Sequence, residues 1–205
     1  MVHEAAHAWM ANKFGDPTAK NEGRLTLNPA AHYDPWGTIF FPLFAAVTGF
    51  AMIGWARPVP IEVRNFKKMR PGIFWVSFAG PLANILMGIL SAFLLALIYT
   101  KFSEWSYGAI FVDMLRYSVF INFILAFFNL IPLPPLDGSK MVSSFLKGPT
   151  LYKYEGLARY TPVIFIAVMG LSFMGIHTLG YLLAPAQDLA NYFMFTFVGL
   201  FTGLS

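Results

Sequence analysis

Two histidines and a glutamate near the start of the chain have the types and spacing needed for metal-assisted hydrolysis. His3, Glu4 and His7 stand in the sequence His-Glu-Ala-Ala-His. Residues four apart lie on one face of a helix, one turn from each other, so both imidazoles can reach one ion. Glu4 lies beside them, where a carboxylate can take a proton from water. This H-E-x-x-H spacing is typical of zinc sites that hydrolyse peptide bonds. It predicts His3 and His7 as metal ligands and Glu4 as the general base.

A third candidate ligand, Asp137, lies at the end of an apolar segment far along the chain. Catalytic zinc usually takes three protein ligands and leaves its fourth position to water. The chain contains no cysteine, so the ligands must be His, Asp or Glu. Pro132, Pro134 and Pro135 precede the aspartate and interrupt the helix there. Asn129 lies about two turns before it and could donate a hydrogen bond to a substrate carbonyl or oxyanion.

The composition indicates that these polar residues belong to a membrane protein. Of the 205 residues, 57% are hydrophobic and 12% are charged, whereas soluble domains carry about 25% charged residues. Ionisable groups at membrane depth indicate function by default. The basic residues lie in short loops between apolar segments, as the positive-inside rule predicts. The net charge of +4 therefore does not indicate a nucleic-acid partner.

The apolar segments predict an all-α, polytopic bundle of transmembrane helices with about five spans. A span needs roughly 20 apolar residues. Spans are predicted at 71–100, 117–136, 160–187 and 189–205. The last two are expected to be separated at 184–188. Segment 1–12 is too short to cross a bilayer, so we expect the first transmembrane helix to be truncated at its N-terminal end. We treat 1–205 as one domain, with a catalytic core at 1–147 and a C-terminal helical pair at 150–205.

The distribution of basic residues sets the expected orientation. Loops 13–24, 57–70 and 140–159 carry most of the Lys and Arg residues, whereas 101–116 carries both signs. The three basic loops, and with them the His3–His7 site, are therefore expected on the cytoplasmic side. Segment 35–56 would then enter and leave the membrane on that side, which predicts a re-entrant hairpin. An ordinary span at 35–56 is the alternative, and it would invert everything that follows.

Three motifs occur together within residues 1–147. The H-E-x-x-H is followed by Ala79-Gly80-Pro81-Leu82-Ala83-Asn84 and by an N-x-x-P-x-x-x-x-D-G pattern from Asn129 to Gly138. Together they resemble the site-2 protease family of intramembrane zinc metalloproteases. Segments 23–29 and 54–60 are similar to its compact bacterial and archaeal branch without a PDZ domain.

The resemblance implies a specific site, substrate and location. It implies one Zn²⁺ per chain held by His3, His7 and Asp137, with Glu4 as catalytic base and Asn84 and Asn129 as substrate or oxyanion contacts. The implied substrates are membrane-spanning helices of other proteins. The implied location is the inner or plasma membrane of a prokaryote, as a multi-pass protein in contact with the lipid bilayer.

Two other classes of function remain open from the residues alone. A metal-ion transporter or binding protein could use the same histidines and carboxylate, although transporters tend to show repeated halves and this chain has no internal repeat. A catalytically silent scaffold would have no need of Glu4. The substrate's identity and the oligomeric state are not specified by the sequence.

Overall fold

The structure is a computed structural model that describes residues 1–40, 43–44, 47, 57–102, 105–174, 176 and 178–203. Within these residues the regular structure is helical throughout and no strand occurs, so the all-α prediction is confirmed for them. The chain divides into two compact units, Met1–Gly80 and Pro81–Ser205.

The first unit is built around one short helix that carries the H-E-x-x-H. Helix α1 spans Val2–Phe14 and ends at Gly15, whose left-handed backbone (φ 106°) directs its N–H back to the last turn. Such a φ favours glycine because other residues place a Cβ against the backbone. The other helical elements of this unit are short: α2 at Thr18–Asn21, and single turns at Pro29–His32, Pro35–Phe40 and Val63–Asn65. Ala8 and Ala11 of α1 are fully buried in two small apolar clusters.

Two long apolar helices follow. Helix α3 spans Met69–Lys101, contains Pro81, and includes the boundary between the two units. Helix α4 spans Gly108–Leu130. Both are long and apolar enough to cross a membrane. At 1.5 Å per residue, the 33 residues of α3 extend about 50 Å, which exceeds the roughly 30 Å of a hydrocarbon core.

The second unit packs α4 against the C-terminal helices. The remaining helices are α5 at Asp137–Ser143, α6 at Gly148–Glu155, a 3₁₀ turn at Gly156–Tyr160, α7 at Thr161–Phe173 and α8 at Thr178–Thr202. Phe123 of α4 is fully buried and stacks on Phe193 of α8, with ring centroids 5.8 Å apart. Small residues, Ala186 and Ala190, line α8 where it enters this core.

Helix α4 begins nine residues earlier than the predicted start of its span at 117. The sequence interpretation took Asp113 and Arg116 as loop residues. In the structure they lie three apart on the helix and pair with each other at 3.7 Å, so the charges do not end it. The helix ends at Leu130, because the prolines after it cannot continue the hydrogen-bond ladder.

The predicted break at 184–188 is wrong. Helix α8 passes through these residues with Pro185 inside it. The break lies instead between Phe173 and Thr178, where the N–H groups of Met174 and Ile176 turn back to Leu171 and close α7. The re-entrant hairpin predicted at 35–56 falls largely outside the described residues, which include only 35–40, 43–44 and 47 of that segment. The hairpin, the five-span bundle and the single domain stay predictions.

Candidate metal centre

Helix α1 places the two motif histidines side by side. The Nε2 atoms of His3 and His7 lie 2.9 Å apart, and the rings meet edge to face with centroids 4.6 Å apart. Two nitrogens bound to one zinc at 2.0–2.1 Å and a tetrahedral angle would be about 3.3 Å apart. The pair is therefore within about 0.4 Å of the separation that a shared ion requires.

The orientation of His7 is fixed from α3. Its Nδ1 lies 2.6 Å from the carbonyl oxygen of Val76. A carbonyl only accepts, so Nδ1 carries the hydrogen, and in the neutral ring Nε2 then presents its lone pair. Metal-binding histidines are typically held in this way, with the second ring nitrogen donating to a backbone carbonyl or carboxylate. The buried His7 ring is thus set in the tautomer that a metal needs.

Gly80, one turn after Val76, gives the imidazoles room against α3. A Cβ built on Gly80 would lie 2.6 Å from His3 Nε2 and closer still to His7 Nε2. Contacts under 3.0 Å are essentially absent for real Cβ atoms. Both Nε2 atoms therefore lie directly over Gly80, and this close approach explains the glycine at that position.

Glu4 is held by the backbone of a distant segment. Its Oε2 accepts a hydrogen bond from the Val59 N–H at 3.0 Å. Val59 stands between Pro58 and Pro60 in the segment 57–65, which we call the connector; it has no helix before the turn at Val63–Asn65. Glu4 is thus fixed through one oxygen on the helix that also carries both histidines.

The far end of the connector is held by Asp16, which follows α1. This fully buried carboxylate accepts from the Glu62 N–H at 2.8 Å and from Asn65 Nδ2 at 2.9 Å. Thr18 donates to it as well, through its backbone and its hydroxyl. Burial disfavours the charged carboxylate, but these hydrogen bonds outweigh it and lower the pKa of Asp16 below its ordinary value.

The near end of the connector is held at Arg57. Its N–H donates to the His32 carbonyl at 3.0 Å, and its carbonyl accepts from Arg24 Nη2 at 2.6 Å. Arg24 and His32 are both buried, and His32 donates from Nε2 to the Thr26 carbonyl at 2.8 Å. The sequence reasoning did not find Arg24 or Asp16 because the contacts that tie them to the connector are made across more than 30 positions of sequence.

Asp137 begins α5 in the second unit. Only 7% of it is exposed, and its Oδ1 lies 3.8 Å from the Nζ of Lys140. The preceding turn contains a cis bond between Pro134 and Pro135. The carbonyl of Pro134 accepts from the buried hydroxyl of Thr161.

One more hydrogen bond and one close backbone contact fix the turn around Asp137. The Tyr154 hydroxyl donates to the Pro132 carbonyl at 2.8 Å, and burial raises the pKa of that phenol. Gly138 lies against the end of α4, where a Cβ would be 2.7 Å from the Ile131 carbonyl oxygen and would overlap that of Leu130. The aspartate therefore stands on a tightly fixed piece of backbone.

The two candidate asparagines also lie in the second unit. Asn129 donates from Nδ2 to the Leu125 carbonyl one turn earlier, at 2.9 Å. Asn84 lies in α3 and is 4% exposed. Their contact with a substrate stays a prediction. The first unit thus brings together His3, His7 and Glu4, and the second carries Asp137 and both asparagines.

The chain has recognisable relatives. Its residues 102–169, which include Asn129 and Asp137, match the model of Peptidase family M50. A Bacillus subtilis (strain 168) protein named "Putative zinc metalloprotease YwhC" is 38% identical over 189 residues, covering 91% of this chain and 83% of that protein.

Two mycobacterial proteins, each named "Putative zinc metalloprotease Rip2", are also similar. The one from Mycolicibacterium smegmatis is 31% identical over 139 residues, covering 67% of this chain and 50% of that protein. The one from Mycobacterium tuberculosis (strain H37Rv) is 27% identical over 174 residues, covering 83% and 62%. The chain thus spans less than two thirds of each mycobacterial relative. No solved structure matches it.

Proposed function

Because the chain belongs to peptidase family M50, the site-2 zinc metalloproteases, we propose that it hydrolyses peptide bonds within or next to transmembrane helices of other membrane proteins. The observation that carries this proposal is the pair of imidazole nitrogens 2.9 Å apart on α1, with His7 fixed by the Val76 carbonyl. Family membership supports a zinc metalloprotease, and the two apolar helices fit a membrane protein.

We assign one zinc ion per chain to His3, His7 and Asp137. Two neutral imidazoles and one carboxylate are a common catalytic ligand set that leaves a position for water. In support, Asp137 is a buried carboxylate, and such groups are usually paired or bind metals. A bound zinc lowers the pKa of water toward about 7 and polarises the substrate carbonyl.

Glu4 is the proposed general base. It takes a proton from the attacking water and passes it to the leaving nitrogen. The Val59 N–H anchors one of its oxygens, and Glu4 lies on the same helix as both histidines. The proposed roles of Asn129 and Asn84 are contacts to the substrate carbonyl or to the oxyanion that forms from it.

The substrate must present an extended peptide. A helix protects its own amides through backbone hydrogen bonds, so a transmembrane substrate has to unwind locally. Glycine, asparagine and proline weaken helices, and we propose cleavage close to such residues. The basic loops support a cytoplasmic active site in a multi-pass protein of a prokaryotic inner membrane.

The test is cleavage of a model transmembrane helix in liposomes, with zinc content measured on the same samples. The variants are Glu4→Gln and Asp137→Asn, and the matched controls are Glu22→Gln and Asp188→Asn, whose side chains are exposed. We expect Glu4→Gln to abolish cleavage while keeping zinc, and Asp137→Asn to lose both.

Other outcomes would redirect the assignment. Equal cleavage by wild type and Glu4→Gln would refute the proposed chemistry. Zinc binding by the wild type without cleavage of any helix-weakened substrate would favour a metal-ion transporter or a scaffold. Full zinc retention by Asp137→Asn would remove that residue from the ligand set.

A further inference from the structure

We propose that Arg24 is a positioning residue for Glu4 and acts through the connector. The inference rests on the proposed role of Glu4 as general base. It concerns a residue about 20 positions from the motif. Arg24 is linked to Glu4 by its hydrogen bond to the Arg57 carbonyl, the backbone from Arg57 to Val59, and the hydrogen bond from the Val59 N–H.

The first step is the hydrogen bonding of the connector's proline-rich start. In Arg57-Pro58-Val59-Pro60 the prolines have no N–H, so this stretch offers two backbone donors. The Arg57 N–H binds the His32 carbonyl, and the Val59 N–H binds Glu4. Both donors are therefore committed, and nothing else in the stretch's backbone can replace the donor to Glu4.

The second step is the partner that Arg24 selects. Its side chain is 6% exposed, and its described hydrogen bond goes from Nη2 to the Arg57 carbonyl. No ion pair to Arg24 is present among the described residues, and its Nε is buried without a hydrogen-bond partner. Burying a charge without a carboxylate is costly. The compensating contact is a charge-assisted bond to the residue two before Val59.

The third step is the geometry of the Arg57 peptide groups. His32, which is 1% exposed, receives the Arg57 N–H, and Arg24 donates to the Arg57 carbonyl. Asp16 holds the connector again at Glu62. Without Arg24, the stretch that carries Val59 loses the charge-assisted hydrogen bond to the Arg57 carbonyl. A shift of 1 Å at a catalytic group can reduce a rate by about 100-fold.

The experiment compares Arg24→Met with Arg64→Met. Arg64 lies on the same connector, and its side chain is 89% exposed, so it controls for loss of one arginine from this region. We expect Arg24→Met to lower kcat by about 10- to 100-fold while KM and zinc content stay close to the wild type. We expect no change in Arg64→Met. An unchanged kcat in Arg24→Met overturns the proposal.

A double-mutant cycle separates positioning from a general loss of structure. Val59→Pro removes the N–H that binds Glu4, and Val59→Ala keeps the N–H while losing similar packing. If Arg24 acts through this N–H, Arg24→Met should add little to the kcat loss of Val59→Pro but should retain its effect in Val59→Ala. Fully additive losses would indicate independent structural effects and overturn the proposal.

The outcomes also separate this inference from the proposed function. If Glu4→Gln cleaves as well as the wild type, the proposed function fails. If cleavage depends on Glu4 but Arg24→Met is fully active, only the positioning role fails. Arg24→Met could fail to fold, which its thermal unfolding in detergent would show. The comparison of Val59→Pro with Val59→Ala then tests the proposal. Equal kcat values for these two variants would refute the route through the Val59 N–H.

Discussion

Replacing Gly80 by alanine should displace both candidate zinc ligands without weakening the helix that carries the change. The added Cβ would lie 2.6 Å from His3 Nε2 and Cε1 and closer to His7 Nε2. Ordinary contacts between such atoms are about 3.5–4.0 Å, so the rings must retreat by about 1 Å. Metal–ligand distances tolerate only about 0.2 Å, and the move also pulls His7 away from the Val76 carbonyl.

The size of the effect follows from these distances. We expect zinc affinity to fall by at least the 10- to 100-fold seen when a partner that orients a metal ligand is lost, and cleavage to fall by about 100-fold or more. Alanine is favoured over glycine inside a helix by roughly 0.5–1 kcal/mol. A loss of zinc with an unchanged or higher unfolding temperature would therefore locate the damage at the rings.

The assay is zinc content after dialysis against a chelator series, with cleavage measured in parallel. Gly170→Ala is the matched control, because a Cβ there meets nothing within 4 Å. If Gly80→Ala retains zinc like Gly170→Ala and cleaves at the wild-type rate, then the rings do not lie over Gly80 and the reasoning is wrong.

Three further predictions concern the residues that support the site. Hydrogen bonds lower the pKa of Asp16 below its ordinary 3.8, so its ionised form stabilises the fold above that pH, and this contribution is lost as the pH falls through the folded pKa. The difference in unfolding temperature between wild type and Asp16→Asn should therefore narrow below about pH 3.8. A constant difference from about pH 3 to 6 would contradict this. Gly138→Ala places a Cβ against the backbone at the end of α4 and should reduce the free energy of unfolding in denaturant by about 1–3 kcal/mol. An unchanged midpoint of the denaturant unfolding transition would argue against the tight turn. Tyr154→Phe removes the hydrogen bond to the Pro132 carbonyl and should lower the free energy of unfolding by about 0.5–1.5 kcal/mol. The control Tyr152→Phe, at a residue that is 82% exposed, should lower it little. Equal effects of the two substitutions would mean that this hydrogen bond does not stabilise the fold.

The sequence predicts the parts of the site that depend on helix periodicity. The spacing of His3 and His7 places them on adjacent turns of any helix, and the structure pairs their nitrogens. The long charge-free runs likewise predict α3 and α4, because apolar length is a property of the sequence itself. These features need no information about which segments pack together.

The contacts that orient His7 and Glu4 could not be predicted, since their partners are backbone groups that nearly every residue has. Nothing in the residue types identifies the Val76 carbonyl and the Val59 N–H as hydrogen-bond partners of the site, because only the tertiary fold brings them to it. The predicted ends of two helices were wrong because they too depend on tertiary contacts and local context. Asp113 was interpreted as a loop residue because its pairing with Arg116 was unknown, and Pro185 was interpreted as a break although α8 continues through it.

The hydrogen bond between His7 and Val76 has a consequence for biosynthesis. Its two residues are 69 positions apart, and ribosomes add about 5–20 residues per second. His7 is thus synthesised roughly 3 to 14 s before the carbonyl that orients it. During that interval the histidines lack their anchor, and a nascent chain carries the motif without a formed site. The hydrogen bond that orients His7 can therefore form only after the Val76 end of α3 has been synthesised.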